Sequence, residues 1–572
     1  MVRATIFRSA VLRREAVGLL LGLVAAVIMQ CAPVSLTDPV KTQPPPPEAF
    51  LKTFSTNAIP TIDGKYLAAT TVIPNGGGRY PVILIQTPYD KEDLSNSYFS
   101  LLAAQPLFDS ALYAFVIVDW RGFFGSQAAA VSGYDRGKDG VDCINWIIGQ
   151  PWSDGSVGTW GVSALGYIQY LTMVKQHPAH KCAVPIFAHS AYRYSDIYPG
   201  GVYRKEYMLI IGAVYGLDAT FRQHPYDDLF WTLSGQFPID KLTVPVLVVA
   251  GAYDVDNRPA IDIFNALRAS GGVNAREGSR LLLGSWIHQA VRAGGADGEF
   301  TEQEMKFIDT DNVIQRKSLA FFNYHMRNET GNEVSSWSVA SVHDYGSGIW
   351  NGFAAWPPPG AVRKRWYLHK STVLSETSPS SAGDTVTYQY RPIDPSPTIG
   401  GPTLLDTLDK GPHDQRPIQS RGDGVFFSTE TLSTPIRVRG MVHALFNVST
   451  AGDGVSDTDF AIRLTDIHPD GTSLLLSDGI ARLKLHQSYQ TPDTIQANTV
   501  YSLVIELCNQ ISHTFGTGHK IGIFVTSANY SRFDKNMNNG LDFSEMLSPG
   551  VVVNNTVHCN SGYASYIELP IE

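Results

Sequence analysis

Short runs of apolar residues alternate with helix-like segments over the first 345 residues of the chain. Such runs are typical of strands in a parallel sheet, where both faces of a strand are covered. Apolar positions recur at helical spacing within residues 138–149 and Val313–Met326. Strands and helices in alternation predict a doubly wound α/β sheet with loops at its carboxyl edge. The predicted strands are Lys65–Ile73, Tyr80–Gln86, Ala114–Asp119, Val157–Val162, Val244–Gly251 and Arg280–Gly284.

Two parts of the chain depart from this alternation. Residues 190–240 carry many aromatic side chains on helix-like stretches, which indicate an inserted helical cap over a pocket or else a plain packed layer. Beyond residue 345, apolar and polar positions alternate between Gly, Pro, Asp and Asn turns such as His468–Gly471, which predicts an all-β jelly roll. Its predicted strands include Ile436–Val448, Asp459–Ile467, Ile480–Leu485, Thr499–Leu507 and Lys520–Thr526.

The N-terminus places basic residues before the apolar run Ala16–Met29 and the cysteine Cys31. About a dozen apolar residues after a basic segment are typical of an export signal, since a spanning helix needs roughly 20. Cys31 suggests a lipoprotein, although Ile28–Gln30 lacks the small residue expected before a lipidated cysteine. We predict an exported protein, periplasmic, extracellular or membrane-attached, with residues 1–33 as signal or anchor and 34–48 as a Pro-rich linker.

Composition narrows the class of partner. Of 572 residues, 44% are hydrophobic and 17% are charged, which is typical of a globular protein with more than one domain. A net charge of −9, without a basic run beyond the N-terminus, argues against nucleic acid as a partner. The five cysteines lack C-x-x-C or Cys/His spacing, which argues against a zinc site, and a Cys508–Cys559 disulfide would need an oxidising compartment.

The stretch Gly158–Tyr167 places a serine between close glycines, after a predicted strand and before a helical pattern. Such a turn raises one hydroxyl above the sheet edge and leaves backbone N–H groups beside it. The spacing of Gly161, Ser163 and Gly166 is one residue longer than the common Gly-x-Ser-x-Gly. Alone, the motif therefore fits a nucleophile or a turn that is glycine-rich for steric reasons.

A serine nucleophile needs a base that takes its proton and a carboxylate that orients the base. In open α/β sheets these partners follow later strands, in the order Ser, Asp, His. Asp254 and His288 each follow a predicted strand in that order. We predict Ser163, Asp254 and His288 as the catalytic residues, with Asp256 as the alternative carboxylate.

From about residue 55 to residue 570 the chain resembles the cocaine-esterase, α-amino-acid ester hydrolase and X-prolyl dipeptidyl-peptidase family of serine hydrolases. The motifs that carry the resemblance in the first part are Thr87–Lys91, Asp119–Gly122, Gln150–Gly155, Gly161–Ser163, Gly251–Asp254 and Gly284–His288. Those in the second part are Asp457–Phe460, His468–Gly471, His513–Phe515 and Arg532–Asp534.

This resemblance implies an α/β-hydrolase core with a helical cap insertion, followed by an all-β jelly-roll domain. We place the first part of the core at 49–189, the cap at 190–240, the second part of the core at 241–345 and the jelly roll at 346–572. The resemblance also implies that Tyr89 donates its hydroxyl to the oxyanion beside the backbone N–H of Ala164. A phenol with a pKa near 10 stays protonated at neutral pH and can donate.

The expected reaction is the cleavage of a small-molecule carboxylic ester, or less readily an amide, through an acyl-enzyme. No metal or organic cofactor is expected. The alternatives are an X-Pro dipeptidyl-peptidase, an α-amino-acid ester hydrolase or acylase, and, more distantly, a catalytically silent protein that binds through the jelly roll. The candidates for substrate contact are Trp160, Asp196, Asp256 and Trp286, of which the two carboxylates would hold a substrate ammonium. The sequence does not indicate the oligomeric state.

A partial calcium-loop pattern lies near the C-terminus. Asp534, Asn536, Asn538 and Glu545 occupy ligand positions 1, 3, 5 and 12 of that pattern. Asn539 stands where the sharp turn needs glycine, and the flanking segments have strand and loop character instead of helical character. We therefore predict no metal site in this loop.

Overall fold

The computed structural model describes residues 52–99, 105–288, 312–546 and 549–572. The predicted export signal or anchor at 1–33, with Cys31, and the linker at 34–48 lie outside the described residues. Among the described residues, none of the helices combines the length and the apolar character needed to cross a bilayer.

A ten-stranded mixed sheet forms the centre of the N-terminal part. Its strands are β1 (Lys52–Pro60), β2 (Tyr66–Pro74), β3 (Tyr80–Thr87), β4 (Ala114–Asp119), β5 (Ser153–Val162), β6 (His180–Ile186), β7 (Leu247–Tyr253), β8 (Arg280–Ile287), β9 (Ala340–Asp344) and β10 (Ile349–Phe353). The spatial order is β1-β2-β4-β3-β5-β6-β7-β8-β9-β10. Strands β3 to β9 pair in parallel, whereas β1, β2 and β10 pair antiparallel at the edges.

Helices cover both faces of this sheet, because the parallel strands are apolar on both sides. They are α1 (Lys91–Tyr98), α2 (Arg136–Ile148), α3 (Ala164–Met173), α4 (Tyr194–Ile197), α5 (Lys205–Tyr215), α6 (Asp218–Arg222), α7 (Leu229–Ser234), α8 (Asn257–Ser270), α9 (Val273–Gly278) and α10 (Val313–Met326). Short 3₁₀ helices span Phe124–Ala129, Pro199–Gly201, Ile239–Lys241 and Glu333–Ser336. Helices α4 to α7 lie between β6 and β7 and form the cap, whose core is largely aromatic.

The described residues of the C-terminal part form an all-β domain with one short helix, α11 (Arg416–Gln419), and a 3₁₀ turn, Leu483–Leu485. Its strands are β11 (Val362–Leu368), β12 (Leu374–Ser375), β13 (Thr385–Tyr390), β14 (Gly424–Ser428), β15 (Ile436–Gly440), β16 (His443–Ala451), β17 (Asp459–Ile467), β18 (Ser473–Arg482), β19 (Tyr501–Glu506), β20 (Ile511–Phe515), β21 (Lys520–Thr526), β22 (Val553–Asn560), β23 (Tyr563–Ala564) and β24 (Tyr566–Ile571). They form a ten-stranded sheet and a four-stranded sheet, β14-β21-β17-β18. The predicted fold class, an α/β-hydrolase core with a cap and a β jelly roll, is confirmed.

Two strand predictions in this domain are wrong. The single strand predicted over Ile436–Val448 is two strands, because Gly440 takes a φ of 118° and the chain changes its pairing partner there. The strand predicted over Ile480–Leu485 is the end of β18 followed by the 3₁₀ turn. Nearly all of β18 is buried, so its first half, with the run Leu474–Leu476, lacks the alternation of apolar and polar residues that a half-exposed strand shows. The start of this strand was missed for that reason.

A few side chains of the first domain extend into the hydrophobic core of the jelly roll. Ala252, Tyr253, Ile287 and Tyr345 from the first domain belong to the same buried cluster as the apolar side chains of the jelly roll. The hydroxyl of Tyr253 donates to the backbone oxygen of Leu475 at 2.9 Å. The carboxyl ends of β7 and β8 are therefore packed against the C-terminal domain.

Candidate active site

Ser163 occupies a sharp turn between β5 and α3. Its φ of 58° and ψ of −121° lie in a region that non-glycine residues rarely adopt, which is typical of a nucleophile elbow. Both neighbouring glycines are needed for close packing. A Cβ at Gly161 would lie 2.4 Å from the Cβ of Leu165, and one at Gly166 would lie 2.5 Å from the Cβ of Ala188. The unusual glycine spacing therefore has a steric cause at each position.

Ala164 directly follows the serine and is the first residue of α3. The N–H groups in the first turn of a helix have no acceptor within the helix. The N–H of Ala164 is therefore available to an oxygen held beside the Ser163 side chain.

Asp254 and His288 meet where β7 and β8 end. Nδ1 of His288 donates to Oδ2 of Asp254 at 2.6 Å, and Oδ1 of Asp254 accepts the N–H of Asp256 at 2.7 Å. Asp254 is fully buried and His288 is nearly so. With Nδ1 donating, Nε2 is left for another partner, and both Ser163 and His288 line one cavity of about 310 Å³.

The protonation of His288 is set by two opposing effects. Burial lowers the pKa of the imidazole, but the charge of Asp254 and the hydrogen bond to it raise that pKa, and the net result lies above the ordinary value of 6.5. An imidazole in this environment can take up a proton while its carboxylate partner stabilises the resulting charge.

Tyr89 lies just beyond β3, on the loop that faces the serine turn. Its N–H donates to Oγ1 of Thr87 at 2.9 Å. Burial raises the pKa of its hydroxyl above 10, and hydrogen-bonding contacts with Ser163 and Tyr215 offset only part of that shift. The phenol is therefore protonated at neutral pH and lies beside the serine hydroxyl.

Asp256 is a second buried carboxylate on the cavity wall. Burial raises the pKa of Asp256, and its interaction with His189 offsets part of that shift. Nδ1 of His189 donates to the backbone oxygen of Ala191 at 2.7 Å, while its Nε2 lies 3.7 Å from Oδ1 of Asp256. The cavity therefore contains an acidic group that is not one of the pair at Asp254 and His288.

The other three predicted substrate contacts do not line this cavity in the described part of the chain. Trp160 is fully buried among Tyr98 and Phe108, and its Nε1 donates to Oγ of Ser318 at 3.1 Å. Trp286 is also fully buried and packs against Phe187.

Asp196 is the third of these residues. Its Oδ2 accepts a hydrogen bond from Nε of Arg193 at 3.1 Å, and its Oδ1 accepts one from Nη2 of Arg193 at 2.9 Å. Both carboxylate oxygens are therefore occupied. An arginine already neutralises this carboxylate, so the cap holds no second free acid at this position.

Two side chains of the calcium-loop pattern, Asn536 and Glu545, bind protein partners. Nδ2 of Asn536 donates to Asp457 and Asp459, at 2.9 and 2.7 Å. Glu545 pairs with Nζ of Lys205 at 2.5 Å. These side chains therefore tie the loop to its neighbours.

Cys508 and Cys559 are both free thiols in the structure.

A loop of the jelly roll reaches the Asp254 turn, which the sequence did not indicate. Nδ2 of Asn509 donates to the backbone oxygens of Ala252 and Asp254, at 2.8 and 3.1 Å. Asn257 accepts the N–H of Gln510 at 2.8 Å and donates to the oxygen of Gly251 at 2.8 Å. Asn509 and Gln510 lie more than 250 residues from their partners on the Asp254 turn, so no local pattern could have revealed these contacts.

Two family models match the chain. The model described as X-Pro dipeptidyl-peptidase (S15 family) matches residues 63–221 and 213–290. The model of the X-Pro dipeptidyl-peptidase C-terminal non-catalytic domain matches residues 326–568. The first model covers most of the α/β part, and the second covers the β domain together with β9 and β10 of the α/β sheet.

Curated relatives match over most of their length. Cocaine esterase of Rhodococcus sp. (strain MB1 Bresler) is 31% identical, over 90% of this chain and 97% of the relative. A putative serine esterase of Mycobacterium bovis is 24% identical, over 89% of this chain and 94% of the relative.

Solved structures share the whole architecture. An aminopeptidase from a marine sediment Thaumarchaeota archaeon superposes with a TM-score of 0.79 at 23% identity, over 95% of this chain and all of that one. An α-amino acid ester hydrolase superposes with a TM-score of 0.78 at 22% identity, over 94% of this chain and 100% of that one. At these identities the likeness shows the fold.

The geometry predicts how His288 titrates. Asp254→Asn should lower the pKa of His288, because the carboxylate charge is lost while burial still disfavours the imidazolium. The measurement is a pH titration of the histidine ring signals by NMR. The exposed Asp240→Asn is the matched control and should leave the His288 titration unchanged. An unshifted pKa in folded Asp254→Asn would show that Asp254 does not control this imidazole.

Proposed function

The chain belongs to the X-Pro dipeptidyl-peptidase (S15) family of serine hydrolases, and from this membership we propose that it cleaves carboxylic esters through an acyl-enzyme on Ser163. The observation that supports the proposal most is the 2.6 Å hydrogen bond from His288, which lines the same cavity as Ser163, to the buried Asp254 behind it. The relative that is 31% identical over 90% of this chain, cocaine esterase, is also an esterase.

In the proposed reaction His288 takes the proton of Ser163 as the serine oxygen attacks the acyl carbon. Asp254 holds the imidazole in the tautomer that keeps Nε2 free for that proton and stabilises the imidazolium. The alcohol then leaves with a proton from His288, and water attacks the acyl-enzyme by the same route. Because the base must be neutral, the rate rises with pH as His288 loses its proton.

The oxyanion of each tetrahedral intermediate would receive two hydrogen bonds in this scheme. One comes from the hydroxyl of Tyr89, which stays protonated because burial keeps its pKa above 10. The other comes from the N–H of Ala164 at the start of α3. Donors that are fixed in place before the reaction stabilise the developing charge without reorganisation.

The cavity fits a small substrate with an aromatic or apolar acyl group. Its volume is about 310 Å³, and the tyrosines 167, 192, 207 and 215 and Trp120 form much of its wall. Asp256 favours a second candidate function, the hydrolysis of α-amino-acid esters, because a buried carboxylate binds an ammonium group favourably. An X-Pro dipeptidyl-peptidase remains the alternative within the family.

Fluorophosphonate labelling tests the nucleophile. We expect Ser163→Ala to abolish labelling and ester hydrolysis, because the attacking oxygen is removed. Ser156→Ala, on the same strand β5, is the matched control and should keep both. A folded wild-type protein that is not labelled would favour a binding protein over an enzyme.

Three substrates of the active protein then separate the candidate reactions. We expect kcat/KM to be higher for a nitrophenyl ester than for an Ala-Pro nitroanilide. Preference for the anilide would instead identify a dipeptidyl-peptidase. A matched ester with an α-amino group tests Asp256, since its advantage should disappear in Asp256→Asn.

Substitution of Tyr89 tests the proposed oxyanion donor. Tyr89→Phe should lower kcat by about 10²- to 10³-fold with little change in KM, because the lost hydrogen bond forms mainly in the transition state. Tyr80→Phe, at the other end of β3, is the matched control and should not change kcat. Equal values of kcat in Tyr89→Phe and the wild type would exclude this role.

A further inference from the structure

Two histidines and an aspartate of the jelly roll form a cluster that ester hydrolysis does not use. Asp466 lies on β17, His468 directly follows β17, and His519 directly precedes β21. The two strands pair antiparallel with Ile467 opposite Lys520, so the next position along brings His468 opposite His519. Opposite residues share a face of the sheet, as do residues two apart on a strand. The register therefore directs all three side chains to the same face.

The distances within this cluster suit a metal ion. One possible ligand atom from each residue lies within 4.8 Å of the other two. Nδ1 of His519 is 2.8 Å from Oδ1 of Asp466, and Nε2 of His468 is 3.7 Å from Oδ2. A tetrahedral ion with bonds of 2.0–2.1 Å places its ligands about 3.4 Å apart, between these two distances. Small side-chain shifts would bring all three atoms onto one ion.

A ligand at this position would also satisfy a buried nitrogen. Within the described part of the chain, Nε2 of His468 is buried and has no hydrogen-bond partner. Asp466, which it faces, is almost completely buried. Leaving a buried polar atom unpaired is unfavourable, whereas an ion would take up its lone pair. The His468 side chain as a whole is 30% exposed, so an ion can reach the cluster from solvent.

A fourth residue holds the carboxylate in position. Nε2 of His513 lies 3.0 Å from Oδ2 of Asp466, and the ring of His513 is fully buried between Tyr345 and Phe515. Metal-binding side chains are usually oriented by such outer hydrogen bonds. His513 therefore fixes the orientation of Asp466 and is not needed as a ligand.

We propose that Asp466, His468 and His519 bind a divalent transition-metal ion of the zinc type, with water as the fourth ligand. Two imidazoles and one carboxylate suit zinc, nickel or copper, whereas calcium and magnesium prefer oxygen ligands. None of the three residues lines the cavity of Ser163 in the described part of the chain. The ion joins the ends of β17 and β21, so it stabilises the jelly roll and takes no part in the hydrolysis.

Cobalt binding to the full chain tests this proposal. After treatment with a chelator, the protein should bind Co²⁺ with the visible absorption of a four-coordinate site, and Zn²⁺ should displace it and raise Tm. His468→Ala and, as a second variant, His519→Gln should lose both the absorption and the Tm shift. His369→Ala, a jelly-roll histidine outside the cluster, is the matched control and should keep both.

Asp254, Asp256 and His288 also lie close enough together to hold an ion. The same cobalt-binding experiment distinguishes this second site from the jelly-roll cluster. His288→Ala should retain the cobalt absorption under our proposal. Loss of the absorption in His288→Ala but not in His468→Ala would assign the ion to the hydrolase cavity and overturn the proposal. No cobalt or zinc binding by the wild-type chain would also overturn it.

Discussion

The carboxylate of Asp254 is fully buried, and the loop that carries it is fixed by hydrogen bonds from the other domain. Asn509 binds the backbone oxygens on both sides of Tyr253, while Gln510 binds the side chain of Asn257 at the start of α8. A buried carboxylate can orient an imidazole only if its own position is fixed. The jelly roll is therefore part of the scaffold of the proposed active site.

The wider contact between the domains supports this arrangement. The core of the jelly roll continues into the ends of β7 and β8, which carry Asp254 and His288. At the edge of the α/β sheet, Nη2 of Arg439 pairs with Oδ2 of Asp344 at 2.6 Å, and both side chains are buried. Removing one partner of such a buried pair typically costs about 3–5 kcal/mol. The two domains thus pack as one unit around the acid and base loops.

The sequence predicted those features that depend on local pattern. The buried strands showed as apolar runs, and the loops after β5, β7 and β8 supplied Ser163, Asp254 and His288 in chain order. Contacts between distant segments were not predictable, because Asn509 and Gln510 lie in a loop without periodicity. The Asp466 cluster was missed for a similar reason, since no Cys/His spacing marks it and only the pairing of β17 with β21 brings its members together.

Trp160 and Trp286 show a different limit of sequence reasoning. Trp160 directly precedes a motif and Trp286 lies within one. Each is on a strand whose side chains alternate between the two layers of helices, and both are buried away from the cavity. Nearness in sequence to a functional residue therefore does not place a strand residue in the pocket. Asp256 lines the cavity because it lies in the loop after β7 and not within the strand.

The most direct test of the scaffold role is the kcat of Asn509→Leu with an ester substrate. Loss of both amide hydrogen bonds should shift the Asp254 loop and lower kcat by up to about 10²-fold, with KM and the folded state retained. Asn351→Leu, at a partly exposed asparagine on β10, is the control and should keep the wild-type kcat. An unchanged kcat in folded Asn509→Leu would contradict the conclusion that the jelly roll positions Asp254.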